Sequence, residues 1–174
     1  KNALIKKIAV DLSKKIFNSL IADEKTLTNY NIALEKPTAV LTFTYYPLMS
    51  FFKRLVAPPG INAHRDICLL TVLLVEKPGL EAWMDGQWVP LLPKKGCVLV
   101  ILGDDFTTLT KGQVRSCLHT VRSTFGEERL SMVFFVAMDR SLPFVLTDGT
   151  QLAETGSEYL DRRYNQYNVE IIQC

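Results

Sequence analysis

Between residues 38 and 140 this chain is cut every few residues by a turn signal, and the pieces between are too short for helices. The clearest signal is Asp85-Gly86, set between the runs 80–84 and 87–92. Both residue types tolerate the positive φ that a two-residue hairpin requires. Further turns are expected at Pro58-Pro59-Gly60, at residues 93–96 and at 126–128. The run 38–46 is rich in β-branched and aromatic residues and stops at Pro47, the profile of a strand. Residues 61–74, 97–102, 115–122 and 129–138 read likewise as strands, with 48–60 a loop and 103–112 a polar connection. Helices are confined to the ends. Leu4, Ile8, Leu12, Ile16 and Leu20 recur every four residues while Lys7, Asp11 and Lys15 take another face, which predicts an amphipathic helix over 4–20. Residues 23–37 are polar and end in Lys36-Pro37, so they read as a connector. Thr155 and Glu158 have capping-box spacing ahead of a closing helix near 159–167. The expectation is one mainly β unit, a sandwich or barrel with terminal helices. It divides into helix and connector (1–37), β core (38–140) and C-terminal extension (141–174).

Composition removes several function classes. At 48% apolar and 22% charged residues the chain is neither disordered nor fibrous. A net charge of +2 and the absence of a basic stripe argue against nucleic acid, and Lys6, Lys7, Lys14 and Lys15 read as one solvated helix face. The apolar runs are too short to span a bilayer and the start shows no signal-peptide pattern, so no membrane partner and a cytoplasmic setting are expected. Cys68, Cys97, Cys117 and Cys174 lack CxxC spacing and read as buried free thiols in a reducing compartment.

The chain has two histidines, and one of them, His64, stands two residues before Asp66 at the start of the apolar run 61–74. On a strand, i and i+2 share a face, so this imidazole and carboxylate converge. His119 lies in the later strand 115–122, sharing a face with Cys117 and Val121. Two imidazoles and a carboxylate on a β scaffold form a facial triad that leaves coordination positions open on Fe(II), although zinc tolerates the same donors. Arg129 and Ser131 then share a strand face with Val133 and Phe135. A guanidinium grips a carboxylate as a fork and a hydroxyl adds a hydrogen bond to the same anion. This pair suits the far end of a dicarboxylic acid whose near end chelates iron.

Taken together, His64-Arg65-Asp66, Gly79-Leu80, Gly86-Gln87-Trp88, Leu102-Gly103-Asp104, Thr110-Lys111-Gly112, His119 and Arg129-Leu130-Ser131 resemble the iron and 2-oxoglutarate dependent oxygenases. The resemblance is to the isopenicillin N synthase-like branch, which includes plant flavonoid and gibberellin oxygenases, and covers roughly residues 38–140. It implies a double-stranded β-helix, or jelly roll, with flanking N- and C-terminal helices. It also implies Fe(II) held by His64, Asp66 and His119, with 2-oxoglutarate held at its distal carboxylate by Arg129, Ser131 and Tyr46, the last from the family's Asn-Tyr-Tyr-Pro. The implied reaction uses O2 and 2-oxoglutarate to oxidise, most simply to hydroxylate, a small organic substrate with release of succinate and CO2. The family's asparagines are replaced by Thr44 and Lys111, which puts an asparagine contact to the cosubstrate in doubt.

Two alternatives stand beside this reading: a family oxidase that does not use 2-oxoglutarate, and a non-catalytic metal-binding or interaction module, the latter because family members carry a longer N-terminal portion. His64-Arg65-Asp66 also spells the start of a kinase catalytic loop, but no phosphate loop or Asp-Phe-Gly accompanies it. Arg65, one residue off register, is expected to point away from the metal. Asp104 and Asp105 read as turn and strand-end residues, Trp83, Trp88 and Tyr45 as packing, and Arg115 and Arg122 as surface charges. Residues 48–60 and 135–144 are candidate walls of the substrate pocket.

Overall fold

The computed structural model describes residues 2–48, 60–122 and 127–172, with side chains from 3 to 166 within those ranges. The expected loop 48–60, except its two ends, the Pro58-Pro59 turn, Gly126 and Cys174 lie outside the described residues.

Helix α1 runs Asn2–Leu20 as the periodicity predicts, but its buried stripe is rotated from the expected one. Ala9, Ser13 and Phe17 are fully buried, whereas Leu4 and Ile8 are exposed. Ser13 can sit in that stripe because its hydroxyl donates to the Ala9 carbonyl, 2.9 Å away, so no buried donor is left over. The expected connector contains a second helix, α2 (Glu24–Ala33), capped by the Asp23 carboxylate, which accepts from the Thr26 amide at 2.7 Å. Its buried residues are Thr26, Tyr30 and Ala33, with Leu27 half-buried beside them, too sparse an apolar stripe to register as a periodicity. Tyr30 packs on Phe17 with ring centroids 4.2 Å apart.

Two four-stranded antiparallel sheets make the jelly roll. In the first, β1 (Thr38–Tyr46) pairs with β8 (Arg129–Ala137), which pairs with β3 (Leu70–Val75), which pairs with β6 (Leu99–Leu102). In the second the order is β2 (Ile61–His64), β7 (His119–Val121), β4 (Leu80–Met84) and β5 (Gln87–Pro90). The β4–β5 hairpin turns on Asp85 and Gly86 at φ +50° and +81°, and Trp83 pairs across it with Trp88. Strand alternation sorts the first sheet's residues. Leu70, Val72, Phe134 and Val136 face outward into an apolar cluster shared with Ala9, Phe17 and Tyr159. Leu73, Ile101 and Tyr46 face inward and meet Leu80 and Val121 of the second sheet.

Three corrections concern the ends of these strands. The apolar run 61–74 is not one strand: β2 ends at His64, residues 65–69 cross between the sheets, and β3 begins at Leu70. The polar segment after β6 holds a short helix, α3 (Asp104–Leu109), so Asp104 and Asp105 form its first turn and are buried there. The extension contains a small hairpin, β9 (Pro143–Val145) and β10 (Gln151–Thr155), before the expected closing helix, α4 (Gly156–Ile172). The capping box forms: the Thr155 amide donates to the Glu158 carboxylate at 2.7 Å, and the Glu158 amide donates to the Thr155 hydroxyl at 3.3 Å. Cys68, Cys97 and Cys117 are free thiols, and of these only Cys68 is buried while Cys97 is exposed. No helix among the described residues is long and apolar enough to cross a membrane.

Candidate metal centre

His64 and Asp66 do converge, though not by strand alternation. His64 ends β2 directly opposite His119, which begins β7, so the two imidazoles are cross-strand neighbours with ring centroids 4.3 Å apart. Asp66 reaches them from the crossing segment. One donor atom from each of His64, Asp66 and His119 lies within 4.8 Å of the other two. The Asp66 carboxylate oxygens stand 3.4 Å from His64 Nε2 and 3.7 Å from His119 Nε2.

Each ring's other nitrogen is committed. His64 Nδ1 lies 2.8 Å from the Asn62 carbonyl and His119 Nδ1 lies 3.0 Å from the Cys117 carbonyl. A carbonyl only accepts, so both Nδ1 atoms carry a proton, and each Nε2, aimed at Asp66, is the ring nitrogen open to a metal once it is unprotonated. This tautomer is the one a metal-ligating histidine adopts. Burial pushes the His119 pKa down. Burial also opposes ionisation of Asp66, but hydrogen bonds from His64 and Thr71, and the charge His119 carries when protonated, hold it below the usual carboxylate range. His64 is lowered by burial and raised more by Asp66 and the Asn62 carbonyl. An ionised carboxylate beside a neutral His119 matches the state that metal binding requires.

A cavity of about 80 Å³ runs from these three residues along the inward face of the first sheet to Tyr46, Arg129 and Ser131. Register brings the last three together: Arg129 is opposite Tyr46, and Ser131 is opposite Thr44 on the same face. Arg129 is 2% exposed, and its Nε and Nη2 have no hydrogen-bond partner among the described residues. Its guanidinium lies 4.1 Å from the Tyr46 ring centroid, a favourable stacking that leaves the in-plane donors free. Burial lowers the Arg129 pKa and raises that of the Tyr46 phenol. A buried guanidinium with open donors costs several kcal/mol unless an anion joins it.

His64 and Asp66 also line a larger cavity of about 430 Å³, walled by Val40, Phe135, Ala137 and Leu160. Of the expected substrate walls, 135–144 contributes Phe135, Ala137 and Arg140, while 49–59 lies outside the described residues. Arg65 lies in the crossing segment, where strand register does not apply; it donates to the Ser116 carbonyl and lines the larger cavity beside His64 and Asp66. Trp83 and Trp88 stack edge-on at 5.2 Å on the hairpin, and Tyr45 is exposed and donates to Glu128 at 2.6 Å, all apart from the site.

Sequence reasoning missed several supporting residues. The Thr71 hydroxyl, 1% exposed, donates to Asp66 Oδ2. Gly60 lets the chain press against the Tyr46 ring, which a Cβ would meet at 2.9 Å. Gly79 makes room for Arg129, and Leu160 of α4 reaches the larger cavity. Gly60 and Gly79 were legible as turn and motif residues but not as neighbours of Tyr46 and Arg129, and Thr71, five residues after Asp66, reads only as one more β-branched strand residue.

Known proteins are similar to this chain in sequence and in fold. The profile of the 2OG-Fe(II) oxygenase superfamily matches residues 37–137. Gibberellin 20 oxidase 2 of rice (Oryza sativa) is 34% identical over 100 residues, which cover 57% of this chain and 25% of that protein. Scopoletin 8-hydroxylase of Arabidopsis thaliana is 28% identical over 142 residues, covering 80% of this chain and 35% of that protein. The chain thus spans between a quarter and about a third of these curated relatives. Among solved structures, a full-length Neurospora crassa protein in complex with alpha-KG and thymine superposes with a TM-score of 0.80 over 95% of this chain and 54% of that one, at 17% identity.

Proposed function

The chain belongs to the 2OG-Fe(II) oxygenase superfamily, and from that membership we propose that residues 38–140 are the catalytic core of an Fe(II)- and 2-oxoglutarate-dependent dioxygenase. In this reading His64, Asp66 and His119 hold Fe(II), which the donor chemistry and the tautomers favour. Bound iron supplies O2 activation coupled to oxidative decarboxylation of the 2-oxo acid. One 2-oxoglutarate and one O2 are consumed per substrate oxidised, yielding succinate and CO2, with one oxygen atom going to succinate and the other to a hydroxylated product.

The observation that carries the proposal is Arg129. Arg129 lines the small cavity with its Nε and Nη2 donors unpartnered among the described residues, and the distal carboxylate of 2-oxoglutarate would complete them. Ser131 adds a hydroxyl to the same anion, and Tyr46 walls the pocket and stacks on the guanidinium. The ring nitrogens and Asp66 keep the near end of the cavity for the chelating 2-oxo group. The organic substrate then enters through the 430 Å³ cavity, whose size suits a small molecule. Its apolar walls, Val40, Phe135 and Leu160, keep water from the reacting face. The free thiols of Cys68, Cys97 and Cys117 support placing the reaction in a reducing compartment such as the cytoplasm.

The test is anaerobic addition of 2-oxoglutarate to the Fe(II)-loaded chain. A visible metal-to-ligand charge-transfer band, absent from Arg129→Gln at the same concentrations, is expected. No band in the parent sinks the proposal.

A further inference from the structure

Asp66 is the proposed ligand that no strand holds. The histidines are fixed by the β2–β7 ladder, but residues 65–69 belong to neither sheet, so something other than β pairing must set the carboxylate. Every carbonyl from Asp66 to Leu69 is gripped. The Gly103 amide donates to Leu69 at 2.8 Å, the Asp104 amide to Asp66 at 2.7 Å and the Asp105 amide to Cys68 at 3.2 Å. The remaining carbonyl, Ile67, accepts from Arg140 Nη2 at 3.3 Å. The approach is so close that a Cβ on Gly103 would fall 2.0 Å from the Cys68 carbonyl oxygen.

The first turn of α3 is itself held from outside. Arg140 Nη2 also donates to Asp105 Oδ2 at 3.0 Å, joining the ligand segment and α3 through one nitrogen. Asp104 Oδ1 accepts from the Ser116 hydroxyl at 3.0 Å, and its Oδ2 accepts from Arg163 of α4. Ser116 returns the connection by accepting, at its carbonyl, from Arg65, the residue between the two ligands. These pairs are poor stabilisers. Arg140 and Asp105 are 7% and 0% exposed, and Arg140 Nη1 and Asp105 Oδ1 have no partner among the described residues. A buried ion pair of that kind does no better than apolar packing of the same volume.

We propose that Arg140 and Arg163 are positioning residues for Asp66: by fixing Asp105 and Asp104 they set α3's first turn, and through it the carboxylate of the proposed metal site. The inference rests on that site, and it makes the C-terminal helix α4 part of the ligand's support.

Co(II) alone is the probe, titrated into the full 174-residue chain and followed by its visible d–d absorption. Asp66→Ala is the control for the site: if it binds Co(II) as tightly as the parent, the metal reading fails and the inference with it. Arg140→Lys keeps the charge but not the two-way reach. It is expected to retain the parent's circular dichroism while Co(II) affinity falls about tenfold to a hundredfold and the d–d band shifts. Arg163→Gln, at a side chain 33% exposed and so safe for folding, should weaken Co(II) several-fold, and Arg163→Lys should restore most of it. A merely structural role would lower the melting temperature and leave affinity and band untouched. Parent-like affinity and spectrum in Arg163→Gln, and in Arg140→Lys if it folds, overturn the proposal.

Discussion

Gly79 and Arg129 share one space: a Cβ built on Gly79 would stand 2.7 Å from Arg129 Nη1 and 3.2 Å from its Cζ, at a φ of +135°. That φ is one an L side chain rarely adopts, so two penalties coincide at Gly79. Gly79→Ala is therefore expected to cost about 1–3 kcal/mol of stability and to push the guanidinium out of its place over Tyr46. Titration of 2-oxoglutarate into the Fe(II) protein should show affinity reduced at least as much as by Arg129→Lys. Unchanged affinity would mean that Arg129 does not grip the acid.

Removing the buried charge separates function from stability. Arg129→Met keeps volume and takes away a guanidinium whose Nε and Nη2 have no partner among the described residues, so the ligand-free variant is expected to melt at or above the parent's temperature. With the metal present throughout, saturating 2-oxoglutarate should raise the parent's melting temperature and leave the variant's nearly unchanged, since only a ligand that binds the folded state shifts it. Calorimetric scans with and without the acid check both halves. A large loss of stability in the ligand-free variant would show that Arg129 is structural.

What was legible in the sequence follows from how local each cause is. Asp85-Gly86, the Pro47 stop after β1 and the Thr155–Glu158 box act within a few residues, and each appears where expected. The two proposed histidine ligands were legible because so few histidines left little choice, and Arg129 and Ser131 because strand alternation is rigid, whereas Tyr46 was named only through the family resemblance. The break after His64 was not: Arg65-Asp66 is the one polar step that marks it, too short to read as a turn, and the crossing is imposed by β7 claiming one half and β6 and β8 the other. Helix α3 was hidden for a similar reason. Asp104 and Asp105 look like turn residues until Arg140 and Arg163, 35 and 59 positions later, supply their charge partners.

Thr71 offers a test of how finely Asp66 is aimed. Its hydroxyl, on the inward face of β3, donates to Asp66 Oδ2 from a site 1% exposed. Thr71→Val is nearly isosteric but removes that donor, leaving one carboxylate oxygen free to swing. Co(II) affinity is expected to fall about tenfold, with a stability loss near 1–3 kcal/mol from the unsatisfied acceptor. Both are read on the same sample by d–d titration and urea unfolding. Undiminished affinity would assign the aiming to the backbone contacts of 66–69 alone.

Asp105 gives a pH dependence whose sign can be worked out. Complete burial pushes its carboxyl from 3.8 up to about 6, more than the Arg140 guanidinium 3.0 Å away pulls it down. With the folded pKa above the unfolded one, the folded protein holds the extra proton between those values. This group's contribution to stability therefore falls as pH rises from about 4 to 6 and is level above that, at about 1.4 kcal/mol per unit of separation. Asp105→Asn cannot titrate there, so the stability of the parent minus that of the variant should decrease over that interval in urea unfolding series. If the difference instead grows with pH, attraction to Arg140 outweighs burial. The ion pair would then stabilise the fold outright, and its retention would need no role in holding Asp66.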